Sequence, residues 1–264
     1  ARRQRQMCIR DINKADIINK MINEVSYLSS DELEGRETGT RGEKMAAEYI
    51  SNKFQEYGLV GKGTDGFFQI FEASIKENPH TNTIKKKIQA TNVVGYIDNN
   101  QEETIIIGAH YDHIGYGDFS SLYDGDREIH NGADDNASGV AGLLELAHLL
   151  KSQTSRLKRR ILFVAFDAEE KGLIGSQYFV ENSPVDLDKI STMINLDMIG
   201  RLDSVIYIGG VGTSVLFSHL LDTLESETDL IISKSIGGYG RSDHMPFYNN
   251  SCLLYTSDAA DERS

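Results

Sequence analysis

Tryptophan is absent from this 264-residue chain, proline occurs only 3 times and cysteine twice. Two cysteines make at most one bridge, so a multiply stapled disulfide scaffold is excluded. No apolar run reaches the about 18 residues that a membrane-crossing helix needs, which leaves no transmembrane segment. Basic residues are also scarce: 27 Lys and Arg stand against 40 Asp and Glu, a net charge of −13. That balance opposes binding to a phosphate backbone, whose affinity comes from clusters of cations, and argues against nucleic acid as a partner. What is present is 39% hydrophobic content with both signs of charge interspersed, enough for one large α/β domain or two small ones.

Cys8 and Cys252 lie almost at the two ends. Met7-Cys8-Ile9-Arg10-Asp11 can be written ATG TGT ATA AGA GAC, and Cys252-Leu-Leu-Tyr-Thr-Ser257 can be written TGT CTC TTA TAC ACA TCT. The reverse complement of the second string contains the first in frame. One oligonucleotide and its complement would thus encode both ends, as a translated sequencing-library adaptor does. The expectation is that residues 1–11 and 252–264 are adaptor scars outside the fold. Residues 12–251 then form a single domain without cysteine that remains strongly acidic.

Apolar residues at three-to-four spacing predict a helix over 14–28 and another over 43–57, separated by a turn-rich stretch. Strands are expected at 67–73 and 90–97, with a polar, Lys-rich hairpin or loop over 76–87. The centre then alternates: strand 104–109, helix 137–150, strand 161–166, a short helix near 173–180, and strand 192–196. Strand 205–208, a helix across 213–226 and a strand near 230–233 continue the series. The alternation predicts an α/β domain with a mostly parallel mixed central sheet, helices covering both faces. Ligands of such sheets bind where loops leave the carboxyl ends of the strands.

Three of those strand ends carry acids or imidazoles. Strand 104–109 runs into His110-Tyr111-Asp112-His113, strand 161–166 into Asp167-Ala168-Glu169-Glu170, and strand 192–196 into Asp197. The loop Asn131-Gly-Ala-Asp134-Asp135-Asn136 precedes a helix, and Ser242-Asp243-His244 follows a Gly-rich loop. Carboxylates crowded at one sheet edge repel, and a cation relieves them. Histidine with carboxylate and no thiolate suits zinc in an open catalytic site. The surplus of ligands favours two ions sharing a carboxylate. Of the adjacent Glu169 and Glu170, one can ligate while the other acts as general base, and Asp112 can orient the His110 ring.

The ordered set His110–His113, Gly132–Gly139, Asp167–Glu170, Asn195–Gly200 and Arg241–Phe247 resembles that of the co-catalytic dizinc aminopeptidases related to aminopeptidase Y and bacterial leucyl aminopeptidase. Residues 28–40 are similar to that family's N-terminal signature. The resemblance covers about residues 25–250 and implies a zinc-dependent exopeptidase fold with two zinc ions. It implies that His110 and Asp197 bind one ion, that Glu170 and His244 bind the other, and that Asp135 bridges both, with a cis peptide bond to Asn136. Glu169 is then the general base for a hydroxide bridging the ions, Asp112 the partner of His110, and Tyr239 a donor to the oxyanion. The implied substrate is a peptide with a free N-terminus, and the implied location is the periplasm or the outside of the cell.

Single motifs here have plainer readings. Asp134-Asp135 could cap a helix, His113 is evenly a structural residue or one behind the ligands, and Asp243 is more naturally structural. His80, His148 and His219 lack a ligating context, and His130, just before the Asp135 loop, is expected to shape that loop rather than to ligate. Asp118, Asp124 and Asp126 could attract calcium, although a solvated loop is the default. Two other functions compete with the aminopeptidase: a same-fold relative of different specificity, carboxypeptidase-type or glutaminyl cyclase-type, and an inactive scaffold. A carboxypeptidase would need basic residues for the terminal carboxylate, for which Arg201 and Arg241 are the candidates. The resemblance also implies a further strand and helix after Phe247, where the chain instead meets the adaptor-like segment, so the expectation is low stability.

Overall fold

The computed structural model describes residues 14–76, 85–117, 121, 126–201 and 205–257. Helix α1 (Lys14–Leu28) and helix α2 (Arg41–Glu56) stand where the apolar spacing places them. Thr40 caps α2 by accepting a hydrogen bond from the Glu43 amide at 3.3 Å. After the short β1 (Val60–Gly61), β2 (Phe68–Lys76) and β3 (Lys85–Ile97) pair antiparallel along their whole facing length. Both strands run further into the polar 76–87 stretch than expected. Alternate residues Phe71, Ala73, Ala90 and the partly buried Ile75 and Ile88 form a small apolar cluster there, so the pairing continues past the core.

The remaining elements follow in alternation: β4 (Thr104–His110), α3 (Gly139–Ser152), β5 (Arg160–Phe166), α4 (Ile174–Glu181) and β6 (Ile190–Leu196). Then come β7 (Val205–Ile208), α5 (Val215–Glu227), β8 (Ile231–Lys234), the short α6 (His244–Asn249) and β9 (Leu254–Ser257). The main sheet has the order β1-β3-β5-β4-β6-β9, with β2 also on β3. Its centre is parallel, β5 to β4, β4 to β6 and β6 to β9, while β3 joins antiparallel.

Strand β5 is buried on both faces. Ile161, Phe163 and Ala165 point to a core shared with α1, α2 and α3, whereas Leu162, Val164 and Phe166 point to a second core with Phe179 of α4 and Phe247 of α6. This period-two division makes the sheet a middle layer. Strands β7 and β8 differ from expectation. They pair with each other in a separate two-stranded sheet over a small core of Val211, Leu221 and Ile232, and meet the main sheet through a bridge between Gly209 and Thr256. The edge of β6 that they would need is taken by β9, in the segment whose nucleotide reading suggests an adaptor.

Away from the sheet edge, α1, α2 and α3 line an open pocket of about 380 Å³ whose wall includes Glu24, Tyr49, Tyr57 and His148. Glu24 is only 3% exposed. Burial pushes it up to about 7, against the hydrogen bond that Tyr57 donates to it at 3.2 Å. Its folded-state value thus lies above the unfolded one, so its contribution to stability is full below pH of about 4.3 and is lost as the pH rises through about 7. Glu24→Gln is expected to raise the urea midpoint at pH 8 and to leave it unchanged at pH 4. An equal gain at both pH values would exclude ionisation as the cause.

Candidate metal centre

Parallel pairing brings the carboxyl ends of β4, β5 and β6 to one edge, with His110 in register with Phe166 and Gly108 with Asn195. After β5 and β6 the chain turns sharply off the strand. Ala168 and Met198, the residues directly after Asp167 and Asp197, hold φ of +58° and +48°, a left-handed conformation that non-glycine residues rarely adopt. These turns, which no sequence periodicity signals, aim the acids across the sheet edge.

Among the described residues, two three-residue clusters result. In the first, Nε2 of His110 lies 3.2 Å from Oδ1 of Asp135 and 3.4 Å from Oδ1 of Asp197. In the second, Nδ1 of His113 lies 2.7 Å from Oε1 of Glu170 and 3.9 Å from Oδ2 of Asp135. Asp135 belongs to both, one oxygen facing each. Its peptide bond to Asn136 is cis, as the resemblance implies. Asn136 locks this loop to the end of β6, donating to the Leu196 carbonyl at 2.9 Å and accepting from the amides of Gly139 and Met198. The neighbouring Asp134 turns away, accepting from the Gly200 amide at 2.9 Å and pairing with Arg201 at 3.2 Å.

Asp112 is fully buried and does more than face His110. Its oxygens accept from the amides of Glu169 and Glu170, at 3.0 and 3.3 Å, and from the Thr38 hydroxyl at 3.2 Å. The His110 Nδ1 lies nearer the Asp112 main-chain carbonyl, at 3.2 Å, than its carboxylate, at 3.7 Å. Burial pushes Asp112 up to about 6, although the His110 charge pulls the other way. Burial also drives Glu169 well above the ordinary carboxylate range, opposed by His110 and reinforced by Asp243, Glu170 and Asp112. For Asp135 burial is outweighed by the hydrogen bond and charge of His110, with His113 and Arg36 assisting, and its carboxyl is held below the usual range.

The family profile of peptidase family M28 matches residues 92–261, more than half of the chain. The chain belongs to this family. It is 29% identical over 195 residues to aminopeptidase YwaD of Bacillus subtilis, covering 72% of this chain and 39% of that protein. A zinc-dependent exopeptidase from Parabacteroides distasonis superposes with a TM-score of 0.70 at 19% identity, covering 96% of this chain and 86% of that one. A glutaminyl cyclase from Porphyromonas gingivalis gives 0.69 at 20% identity, over 93% and 85%. At these identities the two structures speak for the fold alone. The chain spans 39% to 52% of the length of the first curated relatives that it matches.

The clusters fit a zinc site of the M28 type on their own chemistry. Zinc bonds of about 2.0–2.1 Å at tetrahedral angles place ligand atoms about 3.4 Å apart, the spacing found around His110. Oδ1 of Asp197, only 6% exposed as a residue, has no hydrogen-bond partner among the described residues. His244 joins neither cluster. It is buried at the first position of α6, its ring so close to Gly240 that a methyl there would lie 2.6 Å from Nε2. Its helix is anchored by Phe247, whose ring lies 5.9 Å from Phe179, and its loop by the Asn195 to Ser242 hydrogen bond at 2.7 Å. Asp243 is fully buried, and burial pushes it up to about 7. Tyr239 is 74% exposed and lies edge-on to Tyr248 at 4.9 Å. The His148 ring packs at a tilt against Tyr57, 4.9 Å between centroids, and His219 and Asp126 are exposed. His80, Asp118 and Asp124 lie outside the described residues.

Arg36 is the residue that pattern reading passed over. It is 1% exposed, and its guanidinium donates to the carbonyls of Tyr111, Leu28, Asn131 and Gly132. It thereby ties the turn after α1 to the two loops that carry His110, His113 and Asp135. Arg36 lies within the 28–40 stretch that resembles the family's N-terminal signature, but a cation inside a Gly- and Thr-rich turn reads as solvated, and nothing local marks it as buried. Tyr111 adds a second tie: its hydroxyl lies 2.6 Å from both Glu43 Oε1 and the Thr91 carbonyl. Arg36→Met is expected to cost at least about 3 kcal/mol in urea unfolding, because several buried carbonyls lose their donor at about 1–3 kcal/mol each. Arg36→Lys should recover little, since an ammonium cannot reproduce the planar fork. A lysine variant as stable as the parent would refute the assignment.

Proposed function

We propose that the chain is the catalytic part of a zinc-dependent aminopeptidase that removes N-terminal residues from peptides. The observation that carries this reading is the sharing of Asp135 between two clusters, with one oxygen toward His110 and Asp197 and the other toward Glu170 and His113. That arrangement suits two ions: His110, Asp135 and Asp197 would hold one, and Asp135 and Glu170, with His244 as the resemblance implies, the other. Zinc, when bound, supplies Lewis-acid polarisation of the scissile carbonyl and a water of lowered pKa.

The chain's own groups do the rest. Glu169, adjacent to a ligand and free of side-chain ligation in either cluster, takes the proton of the attacking water and returns it to the departing amine. Asp112 positions Glu169 and Glu170 by holding both amides, and the Asp112 carbonyl fixes which ring nitrogen of His110 faces Asp135. The acidic rim favours the free α-amine of a peptide over a terminal carboxylate. Arg201, one of the two cations that a carboxypeptidase could use, is engaged with Asp134.

Aminoacyl-nitroanilide hydrolysis with added zinc tests this reading. The parent is expected to release nitroaniline in a zinc-dependent way, and Glu169→Gln to lower kcat by about 10²–10⁴-fold while retaining its zinc. Equal rates would remove Glu169 as the base. Cyclisation of an N-terminal glutaminyl peptide without nitroanilide hydrolysis would replace the aminopeptidase by the cyclase reading.

A further inference from the structure

We propose that His113 is a positioning residue for the second ion: its Nδ1–H holds one oxygen of Glu170 and leaves the other oxygen for the metal. This rests on the two-ion reading above. Distances separate holding from ligating. Around His110 the neighbouring oxygens stand at 3.2 and 3.4 Å, the spacing of atoms that share a tetrahedral ion. Between His113 Nδ1 and Glu170 Oε1 the separation is 2.7 Å, the length of a charge-assisted hydrogen bond and too short for two zinc ligands at a tetrahedral angle.

The ring is fixed from two sides. The His113 amide donates to the Arg36 carbonyl at 3.2 Å, which sets the backbone. Gly132, with φ of +59°, lies close against the imidazole: a Cβ there would fall 2.6 Å from its Cδ2 and 2.7 Å from its Cγ. Glycine at 132 therefore serves two needs, a left-handed turn before Asp135 and room for this ring. The side chain of His113 is 11% exposed and that of Glu170 20%, so water competes poorly for the bond. A carboxylate anchored by one oxygen loses its freedom to swing, and its second oxygen faces the ion without further ordering.

Stepwise zinc affinities, measured by chelator competition on the parent, His113→Ala and His113→Asn, test the assignment. The asparagine amide can place an N–H where Nδ1 stands. Loss of an outer partner costs about 10–100-fold in metal affinity, so His113→Ala should weaken the second ion by that factor and leave the first unchanged. His113→Asn should restore most of the loss. The first affinity also reports that each variant is folded; if the alanine variant fails to fold, recovery of second-ion binding in the asparagine variant still supports the assignment. Equal second-ion binding in parent and His113→Ala would overturn it. So would an asparagine variant as weak as alanine, which would make the imidazole itself a ligand. A parent that takes up no second ion overturns the two-ion reading as well, and that failure is visible before any substitution is made.

Discussion

The site stands on a buried guanidinium. Arg36 is surrounded not by a paired carboxylate but by four carbonyl oxygens drawn from the end of α1, the loop after β4 and the loop before α3. Desolvation of that cation pulls it down to about 10, while Asp112, Asp135 and Glu170 act in the opposite direction. The same field that keeps arginine charged thus favours the ionised acids that a metal requires. A planar group with five donors can serve several carbonyls at once, whereas a point charge on a flexible stem cannot. Three segments distant in sequence are thereby held at fixed separations.

Topology does the rest of the assembly. Strands β4, β5 and β6 are parallel neighbours, so side chains at their ends converge without any long-range loop design. Convergence alone would leave the acids pointing along the strands. The left-handed residues Ala168 and Met198, together with the side chains of Asn136 and Asp112, convert strand ends into an inward-facing rim. Asp112 is the hinge between these tasks, because one carboxylate accepts from two successive amides and from Thr38.

Much of this was legible beforehand, and for identifiable reasons. Buried central strands announce themselves as apolar runs, and β4, β5 and β6 fall within a residue or two of where those runs place them. Of the first cluster, His110 and Asp197 stand at strand ends and are legible there, whereas Asp135 lies in the loop before α3 and is singled out only by the family resemblance. Three things were hidden. The separate β7–β8 pair looks in sequence like more of the same alternation, since periodicity does not say which strand edge is available. Arg36 and His113 act through hydrogen bonds that cross 96 and 57 positions, a separation that no local pattern records. Continuation of the β2–β3 ladder into a lysine-rich stretch depends on only one face of each strand being apolar.

The Tyr111 hydroxyl leads to a different accounting of the molecule's acidity. A phenol has one hydrogen, yet two oxygens stand 2.6 Å from this one, and the Thr91 carbonyl can only accept. The remaining contact closes when Glu43 contributes the missing hydrogen, in keeping with the burial that lifts it to about 7. Glu43 then behaves in the fold as a neutral donor, so the formal −13 overstates the negative charge of the folded chain near neutral pH. Part of its acidic composition is stored as bound protons, and the molecule should migrate in an electric field as a less highly charged particle than its sequence suggests.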